Sequence, residues 1–349
     1  MPPQYDSGMK TRREMLGLTL AATGAAAWGD DKVDATKRTG LVADTIYKDH
    51  VTGDGHPECP ARFDAVIKGL KAAGVDDKLQ KIDLRVATEV ELGLCHDAKY
   101  IATAKRDVES GAAQLSTGDT QICEKSYDIA LRAAGGVLNA VDAVMNGKVA
   151  NAFCAIRPPG HHARPAQGMG FCLFNNIAIG ARYAQSKHKV GKVLIADWDV
   201  HHGNGTQDIF YEDETVFFFS THQSPWYPGT GKAAETGAGK ALGTTLNCPY
   251  PAGAGRKEIL EASFQDKLAA AMKKFKPELV MISAGFDSRA GDPLGKFTLS
   301  DADFVDLTKL MLDMAKDYAG GKLVSVLEGG YNLDGLASAA GTHVKTLAN

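Results

Sequence analysis

The stretch KVLIADWDVHHGNG (192–205) decides the fold, because an apolar run passes directly into polar, metal-competent residues. The short apolar segment Lys192–Asp197 predicts a strand that is buried on both faces. Asp199 and His201, which follow it, are two residues apart and share one face wherever the backbone stays extended. We therefore expect a parallel sheet with a ligand site at the carboxyl end of this strand.

Other segments repeat this pattern along the chain. Further strands are predicted at Leu41–Ile46, Ala152–Ile156, Thr215–Ser220, Thr244–Asn247, Leu279–Ala284 and Lys322–Leu327. Helical patterns are found at Glu124–Met145, Asn175–Lys187, Arg256–Phe275 and Ser300–Tyr318. Apolar strands that alternate with amphipathic helices predict an α/β fold whose parallel sheet is covered on both faces. Since there is no internal repeat and no change of composition, residues 40–349 are predicted to form a single domain.

The bulk composition excludes several classes of function. The 349 residues carry a formal net charge of -3, so no basic surplus favours nucleic-acid binding. The six cysteines include no CxxC pair, which argues against a zinc ribbon or a thioredoxin-type redox site. No segment reaches the length of a membrane span. Disulfide pairing and oligomeric state are left open by the sequence.

The N-terminus has the pattern of an export signal. Arg12 and Arg13 precede a short, weakly apolar run (Leu16–Trp28) that contains three consecutive alanines. A basic pair, a short apolar region and a small-residue cleavage site are typical of a secretory signal, and adjacent arginines indicate the twin-arginine route. We expect residues 1–29 to direct export to the periplasm and residues 30–39 to form a polar linker. The alternative is a cytoplasmic protein with an N-terminal extension.

A set of three residues at two predicted strand ends indicates a metal centre. Asp199 and His201 supply a carboxylate and an imidazole, and Asp287 follows a different strand. Three protein ligands leave one position open for water, which is the pattern of catalytic rather than structural zinc. An isolated Asp-x-His pair would be equally consistent with a surface turn, but functional groups at several separate strand ends argue against that interpretation.

Residues suited to proton transfer follow two further strands. His161 and His162 come after a Pro-Pro-Gly turn, and imidazoles titrate near neutral pH. Asp197 is placed to fix the tautomer of one histidine, and Asn204 is placed to bind the other. Tyr331 follows the last predicted strand, where a phenol can donate a hydrogen bond to a developing oxyanion.

Several long motifs resemble the histone deacetylase family, above all its class II and bacterial branches. They are RPPGHHA (157–163), GFCLFNN (170–176), DWDVHHGNGTQ (197–207), SAGFDSRAGDPLG (283–295) and LEGGYN (327–332), with GHPECPAR (55–62) at the N-terminal side. The resemblance runs from about Leu41 to the C-terminus. It implies an arginase/deacetylase-type three-layer sandwich with a central eight-stranded parallel sheet. It also implies zinc-dependent hydrolysis of acetyl-lysine or related acylated amines to acetate and free amine.

The resemblance also implies roles for single residues. The zinc ligands would be Asp199, His201 and Asp287. His162 would be the general base and acid, His161 with Asp197 an electrostatic partner, and Tyr331 the group that polarises the scissile carbonyl. The substrate tunnel would be formed by Gly170, Phe171, Tyr227 and Leu294, with Trp226 at its rim. Arg62 would lie near an internal acetate channel, and a structural potassium ion would lie near Asp197, Asp199, His201, Ser220 and Thr221.

Three alternatives are weighed against this interpretation. A two-manganese ureohydrolase would need extra bridging acids, but His202 follows His201 and Ser288 follows Asp287, so that class is rejected. A polyamine deacetylase would favour a glutamate where this chain has Leu294, so an acetylpolyamine-like substrate is the second choice. A binding protein that kept the pocket is the non-enzyme alternative. The choice between zinc and ferrous iron, the acyl length and the identity of the partner, an acylated lysine peptide or a small acylated amine, are left open.

Overall fold

The computed structural model describes residues 38–349. Its strands are β1 (Thr39–Val42), β2 (Gln80–Lys81), β3 (Asn151–Cys154), β4 (Val193–Asp197), β5 (Val216–Gln223), β6 (Thr245–Tyr250), β7 (Leu279–Ala284) and β8 (Leu323–Leu327). They form one eight-stranded sheet in the order β2-β1-β3-β8-β7-β4-β5-β6. Every pair of neighbours is parallel. The predicted eight-stranded parallel sheet is confirmed.

Helices connect the strands and cover the sheet. They are α1 (Ala61–Ala72), α2 (Glu89–Leu92), α3 (Ala98–Glu109), α4 (Ser126–Met145), α5 (Asn176–His188), α6 (Asn204–Phe210), α7 (Ala269–Phe275), α8 (Asp301–Ala319) and α9 (Leu333–Leu347). A π-helical stretch (Lys257–Leu268) runs directly into α7, and 3-10 turns lie at Thr45–Asp49 and Gly239–Ala241.

Both faces of the sheet are buried, which explains why the strands are continuously apolar. Val193 and Ile195 of β4 belong to a core cluster that includes α4 and α5. Leu194 and Ala196 of the same strand belong to a second cluster, which includes α1, α8 and α9. Successive side chains of a strand point to opposite faces, so one strand serves both cores. The result is the predicted three-layer sandwich of helices, sheet and helices.

The predicted strand boundaries are nearly correct, and β1 shows why they differ. The prediction placed this strand at Leu41–Ile46, whereas it ends at Val42. The Asp44 side chain accepts a hydrogen bond from Ile46 N at 2.9 Å and caps a 3-10 turn, which ends the extended backbone. The strand also begins two residues earlier than predicted, so Thr39, which was assigned to the linker, lies in the sheet.

Part of the predicted organisation lies outside the described residues. The export signal (1–29) and residues 30–37 of the linker belong to this part. Within residues 38–349, no helix combines the length and the apolar character that crossing a bilayer requires. The six cysteines are all free thiols.

Candidate metal centre and active site

The ends of four neighbouring strands converge at one edge of the sheet. β3, β8, β7 and β4 are adjacent in that order. The predicted site residues that follow them are His161 and His162 after β3, Tyr331 after β8, Asp287 after β7, and Asp199 and His201 after β4. Parallel strands bring their carboxyl ends to the same edge, so the fold gathers side chains that are far apart in sequence.

Asp199, His201 and Asp287 form the metal-competent group found within the described part of the chain. One ligand atom of each lies within 4.8 Å of the other two, and all three residues are buried. His201 Nδ1 is 3.0 Å from Asp199 Oδ1 and 3.1 Å from Asp287 Oδ2. Two carboxylates and one imidazole at this spacing fit a zinc ion that keeps one position open for water.

The electrostatics of the group also fit a cation. Burial and the charge of Asp199 together raise the pKa of Asp287 to about 7. Burial alone would raise the pKa of Asp199 as well, but His161 and His201 outweigh it and hold that pKa below its ordinary value. Two buried carboxylates side by side are costly unless a positive charge compensates them. A divalent cation between Asp199 and Asp287 would supply that charge.

Glycines and backbone amides orient the two carboxylates. A Cβ at Gly285 or at Gly329 would collide with Asp199 Oδ2. Gly329 N instead donates to this oxygen at 2.8 Å, and Val200 N donates to Asp287 Oδ1 at 2.9 Å. The backbone therefore approaches the carboxylates closely and fixes their directions.

The tandem histidines have opposite electrostatic environments. His161 Nδ1 donates to Asp197 Oδ2 at 2.9 Å, and His162 Nδ1 donates to Asn204 Oδ1 at 2.7 Å. Burial lowers the pKa of His161, but Asp197 and Asp199 outweigh it and raise the pKa to about 10. Burial and the neighbouring His161 and His201 lower the pKa of His162 well below 6.5. His161 is therefore suited to carry a charge, and His162 to accept a proton at its free Nε2.

Tyr331 faces this pair across the site. Burial raises the pKa of its phenol well above the ordinary value, although the nearby Arg62 acts in the opposite direction. The guanidinium of Arg62 lies 4.9 Å from the centre of the Tyr331 ring. The phenol therefore stays protonated and can donate a hydrogen bond to a carbonyl oxygen.

A cavity of about 270 Å³ leads to these residues. Its walls are partly aromatic: the Phe171 and Tyr331 ring centres are 5.9 Å apart, and those of His162 and Tyr227 are 5.2 Å apart. The lining residues are Asp119, His162, Gly170, Phe171, His201, Trp226, Tyr227, Leu294 and Tyr331. All of the tunnel residues that the sequence predicted are among them.

Asp119 is a lining residue that the sequence analysis missed. Its carboxylate accepts hydrogen bonds from Gly170 N at 2.7 Å and from the Tyr227 hydroxyl at 3.0 Å, so it joins two walls of the cavity. Gly170 and Phe171 both have positive φ angles, 57° and 68°, and a Cβ at Gly170 would collide with the His162 ring. The sequence gives no pattern from which this role of Asp119 could be predicted, because its partners belong to two other loops.

A buried ion cluster below the site was also missed, apart from Arg62. Glu58 accepts hydrogen bonds from Arg157 Nε at 2.5 Å and from Arg62 Nη1 at 3.2 Å, and none of the three is exposed. Burial opposes the ionised form of Glu58, but Arg157 outweighs it and lowers the pKa to about 2. Arg62 was predicted to lie near an internal acetate channel, and here its Nε donates to Gly330 O at 2.8 Å.

Glu328 positions the loop of the tandem histidines. This buried carboxylate follows β8 and accepts hydrogen bonds from Gly160 N at 2.7 Å and His161 N at 3.1 Å. Burial is the main cause that raises its pKa to about 7. In the sequence Glu328 belongs to the motif LEGGYN (327–332), but no role was predicted for it.

The residues that the resemblance assigns to potassium lie on neighbouring strands. Asp197 of β4 is in register with Ser220 of β5. The hydroxyl of Thr221 is buried and has no hydrogen-bond partner among the described residues. Ser220 Oγ lies 2.9 Å from His222 Nδ1.

A larger, open depression of about 1180 Å³ adjoins the site beyond α6. Its lining includes Arg164 and Arg182, which are paired with Asp208 and Asp213. Because it contains none of the metal-competent residues or the tandem histidines, the smaller cavity is the candidate substrate site.

Comparisons with known proteins identify the family of the chain. The family description "Histone deacetylase domain" matches residues 56–347. The histone deacetylase-like amidohydrolase of Pseudomonas aeruginosa is 38% identical over 279 residues, which cover 80% of this chain and 73% of that protein. The polyamine deacetylase HDAC10 of Homo sapiens is 38% identical over 306 residues, which cover 83% of this chain and 45% of that protein.

A solved structure shows the same fold. The crystal structure of the HDA15 HD domain superimposes with a TM-score of 0.85 at 36% sequence identity, covering 90% of this chain and 88% of that one. The arginase/deacetylase-type fold that the motifs implied is therefore confirmed. The chain belongs to the histone deacetylase family and is an enzyme that hydrolyses acetylated amines.

Proposed function

We propose that the chain is a zinc-dependent deacylase that hydrolyses the amide of an acetyl-lysine side chain or a related acylated amine. One observation supports this proposal above all. The metal-competent residues Asp199, His201 and Asp287 lie together at the cavity that His162 and Tyr331 also line. A zinc or ferrous ion held by the first three residues would act as a Lewis acid and activate a water molecule. Geometry and charge balance support such an ion, as described above.

The residues of the chain supply the proton transfers. His162 accepts a proton from the attacking water at Nε2, and it returns a proton to the nitrogen of the departing amine. Tyr331 donates a hydrogen bond to the carbonyl oxygen, on which negative charge accumulates. The C–N bond breaks, water supplies OH to the acyl carbon, and acetate and a free amine result.

His161 and Asp197 have a positioning and electrostatic role in this scheme. Because Asp197 stabilises the charged form of His161, the positive ring lies beside His162, with the two ring centres 4.0 Å apart. Burial and this neighbouring charge lower the pKa of His162, which keeps the ring neutral before the reaction. The same proposal includes a structural potassium ion near Asp197, Asp199, His201, Ser220 and Thr221. Replacing potassium by a larger organic cation would then lower the thermal midpoint of the protein.

The walls of the cavity favour an unbranched apolar stem. Phe171 and Tyr227 offer aromatic surfaces, and Leu294 adds an aliphatic one at the rim. Such walls suit the four methylenes of an acyl-lysine and keep bulk water from the reacting carbonyl. The relationship to a protein named polyamine deacetylase supports a small acylated polyamine as the second candidate. The half-buried Leu294 supports acetyl-lysine instead, because it offers no charge to a second ammonium group.

The first prediction concerns metal dependence and Tyr331. We expect release of acetate from an acetyl-lysine peptide to be abolished by a chelator and restored by zinc. Tyr331→Phe should lower kcat by about 100-fold or more, because it removes the hydrogen bond to the oxyanion. Acetate release by the metal-loaded protein and the variant is the measurement. Full activity after complete removal of metal, or in Tyr331→Phe, would contradict the proposal.

The second prediction uses the partner of His162. Asn204→Asp places a negative charge beside Nδ1 and should raise the pKa of His162. Since the base must be unprotonated, the acidic limb of kcat/KM should move to higher pH. Asn204→Ser is the neutral control and should leave the limb at its original position. A pH profile that is the same for both variants would show that His162 is not the base.

The third prediction separates the two substrate classes. Leu294→Glu should raise kcat/KM for a monoacetylated polyamine relative to an acetyl-lysine peptide, because the carboxylate attracts the second ammonium. Added salt should reduce this gain. Leu294→Gln, of similar size but neutral, is the matched control. An equal shift in the glutamine variant would assign the effect to shape rather than charge.

The fourth prediction concerns localisation. We propose that residues 1–29 are an export signal of the twin-arginine type, as Arg12 and Arg13 before an apolar run suggest. Replacing both arginines by lysine should trap the chain in the cytoplasm with its signal uncleaved. Cell fractionation with N-terminal sequencing is the measurement. Cytoplasmic, full-length protein before any substitution would contradict export.

A further inference from the structure

Asp292 is a buried carboxylate that the scheme above does not use. It is 4% exposed and lies in the loop after β7. Its Oδ1 accepts a hydrogen bond from Leu294 N at 2.9 Å. Its Oδ2 accepts from Tyr331 N at 2.7 Å and from Asn332 N at 3.0 Å. One side chain thus binds three backbone amides in two separate loops.

Only one of these three bonds is explained by local turn formation. An aspartate often accepts a hydrogen bond from the amide two residues ahead, as Asp292 does from Leu294. The bonds to Tyr331 and Asn332 span 39 and 40 residues, so turn formation does not account for them. Bonds from amides to an ionised carboxylate are about twice as strong as neutral ones.

The turn that Asp292 binds has little stiffness of its own. Tyr331 follows two glycines, and Gly330 has a φ angle of 122°, which side-chain-bearing residues rarely adopt. Arg62 donates to the carbonyl groups of Glu328 and Gly330 on one side of this turn. Asp292 accepts from the amides on the other side. The turn that carries the phenol is therefore clamped between a cation and an anion.

The same carboxylate connects the phenol to the rim of the cavity. Leu294, whose amide binds Asp292, accepts a hydrogen bond from Trp226 Nε1 through its carbonyl group at 2.7 Å. Asn332 Nδ2 donates to Gly291 O at 3.0 Å and adds a second link between the two loops. The rim and the Tyr331 turn are thus joined through Asp292 and its neighbour.

We propose that Asp292 is a positioning residue that holds the Tyr331 backbone so that the phenol reaches the scissile carbonyl, and that it keeps the Leu294 wall in register with the phenol. This inference rests on the proposed role of Tyr331. It predicts that the effect of Asp292 on kcat passes through the phenol and disappears once the phenol is removed.

A double-mutant cycle tests this dependence. In the zinc-loaded full chain, Asp292→Ala should lower kcat about tenfold or more, with a smaller change in KM. In the Tyr331→Phe background the same substitution should cause little further loss, because coupled residues are not additive. Asp292→Asn keeps one acceptor oxygen and should give an intermediate loss. It serves as the test variant if Asp292→Ala does not fold.

Two control variants distinguish the positioning of Tyr331 from a general loss of stability and from a change in the cavity wall at Leu294. Asp303 also accepts a backbone amide, that of Ser300 at 2.8 Å, but it does so at the start of α8. Asp303→Ala should lower the thermal midpoint without changing kcat. Leu294→Ala keeps the amide that binds Asp292, so it should change mainly KM. Its effect on kcat/KM should be as large in the Tyr331→Phe background as in the unchanged chain.

The possible outcomes are distinct. Three results would overturn the inference while leaving the proposed function intact. The first is a loss of kcat from Asp292→Ala that is equally large in the Tyr331→Phe background, and the second is an unchanged kcat in Asp292→Ala. The third is a loss of kcat that follows a reduced zinc content of the variant. If Tyr331→Phe itself keeps full activity, the proposed role of the phenol fails instead. We also expect faster amide hydrogen exchange in the peptide that contains Tyr331 when Asp292 is replaced and the variant still folds. An unchanged exchange rate would argue that Asp292 does not act through the Tyr331 turn.

Discussion

The structure depends most on the burial of two like-charged carboxylates, Asp199 and Asp287, at the centre of the carboxyl edge of the sheet. Burial, together with the negative charge of Asp199, raises the pKa of Asp287 to about 7. A fold that only needed stability would place apolar side chains there, since uncompensated buried charges are expensive. Backbone amides and the absence of a Cβ at Gly285 and Gly329 hold Asp199 in place nonetheless. The site is therefore suited to hold a cation.

The remaining charges around the centre favour, for each group, the protonation state that its proposed role requires. His161 is kept charged by Asp197, and that charge helps to keep His162 neutral. Burial keeps the phenol of Tyr331 protonated. Deeper in the protein, Glu58 accepts hydrogen bonds from Arg157 and Arg62, and Arg62 also donates to the Gly330 carbonyl group next to Tyr331. The active site thus rests on buried ion pairs as well as on apolar packing.

The sequence predicted the features that are encoded locally. Apolar strands such as Leu279–Ala284 are recognisable from their composition. The residues that follow them lie close together because the carboxyl ends of parallel strands lie at the same edge of the sheet. The short strand β2 (Gln80–Lys81) was missed, since two polar residues at a sheet edge carry no pattern. Asp119 and Asp292 were missed for a different reason. Their carboxylates bind backbone amides of other loops, and contacts of this kind leave no pattern in the sequence.

We propose that the carboxyl edge of the sheet holds one catalytic metal ion. Anomalous diffraction at the zinc edge, from crystals of the zinc-loaded chain, would locate this ion. We expect a single strong peak within bonding distance of Asp199, His201 and Asp287, and its loss in an Asp287→Ala variant that still folds. A zinc-loaded crystal with no peak between these three residues, or with the same peak after Asp287 is replaced, would show that they do not hold the ion.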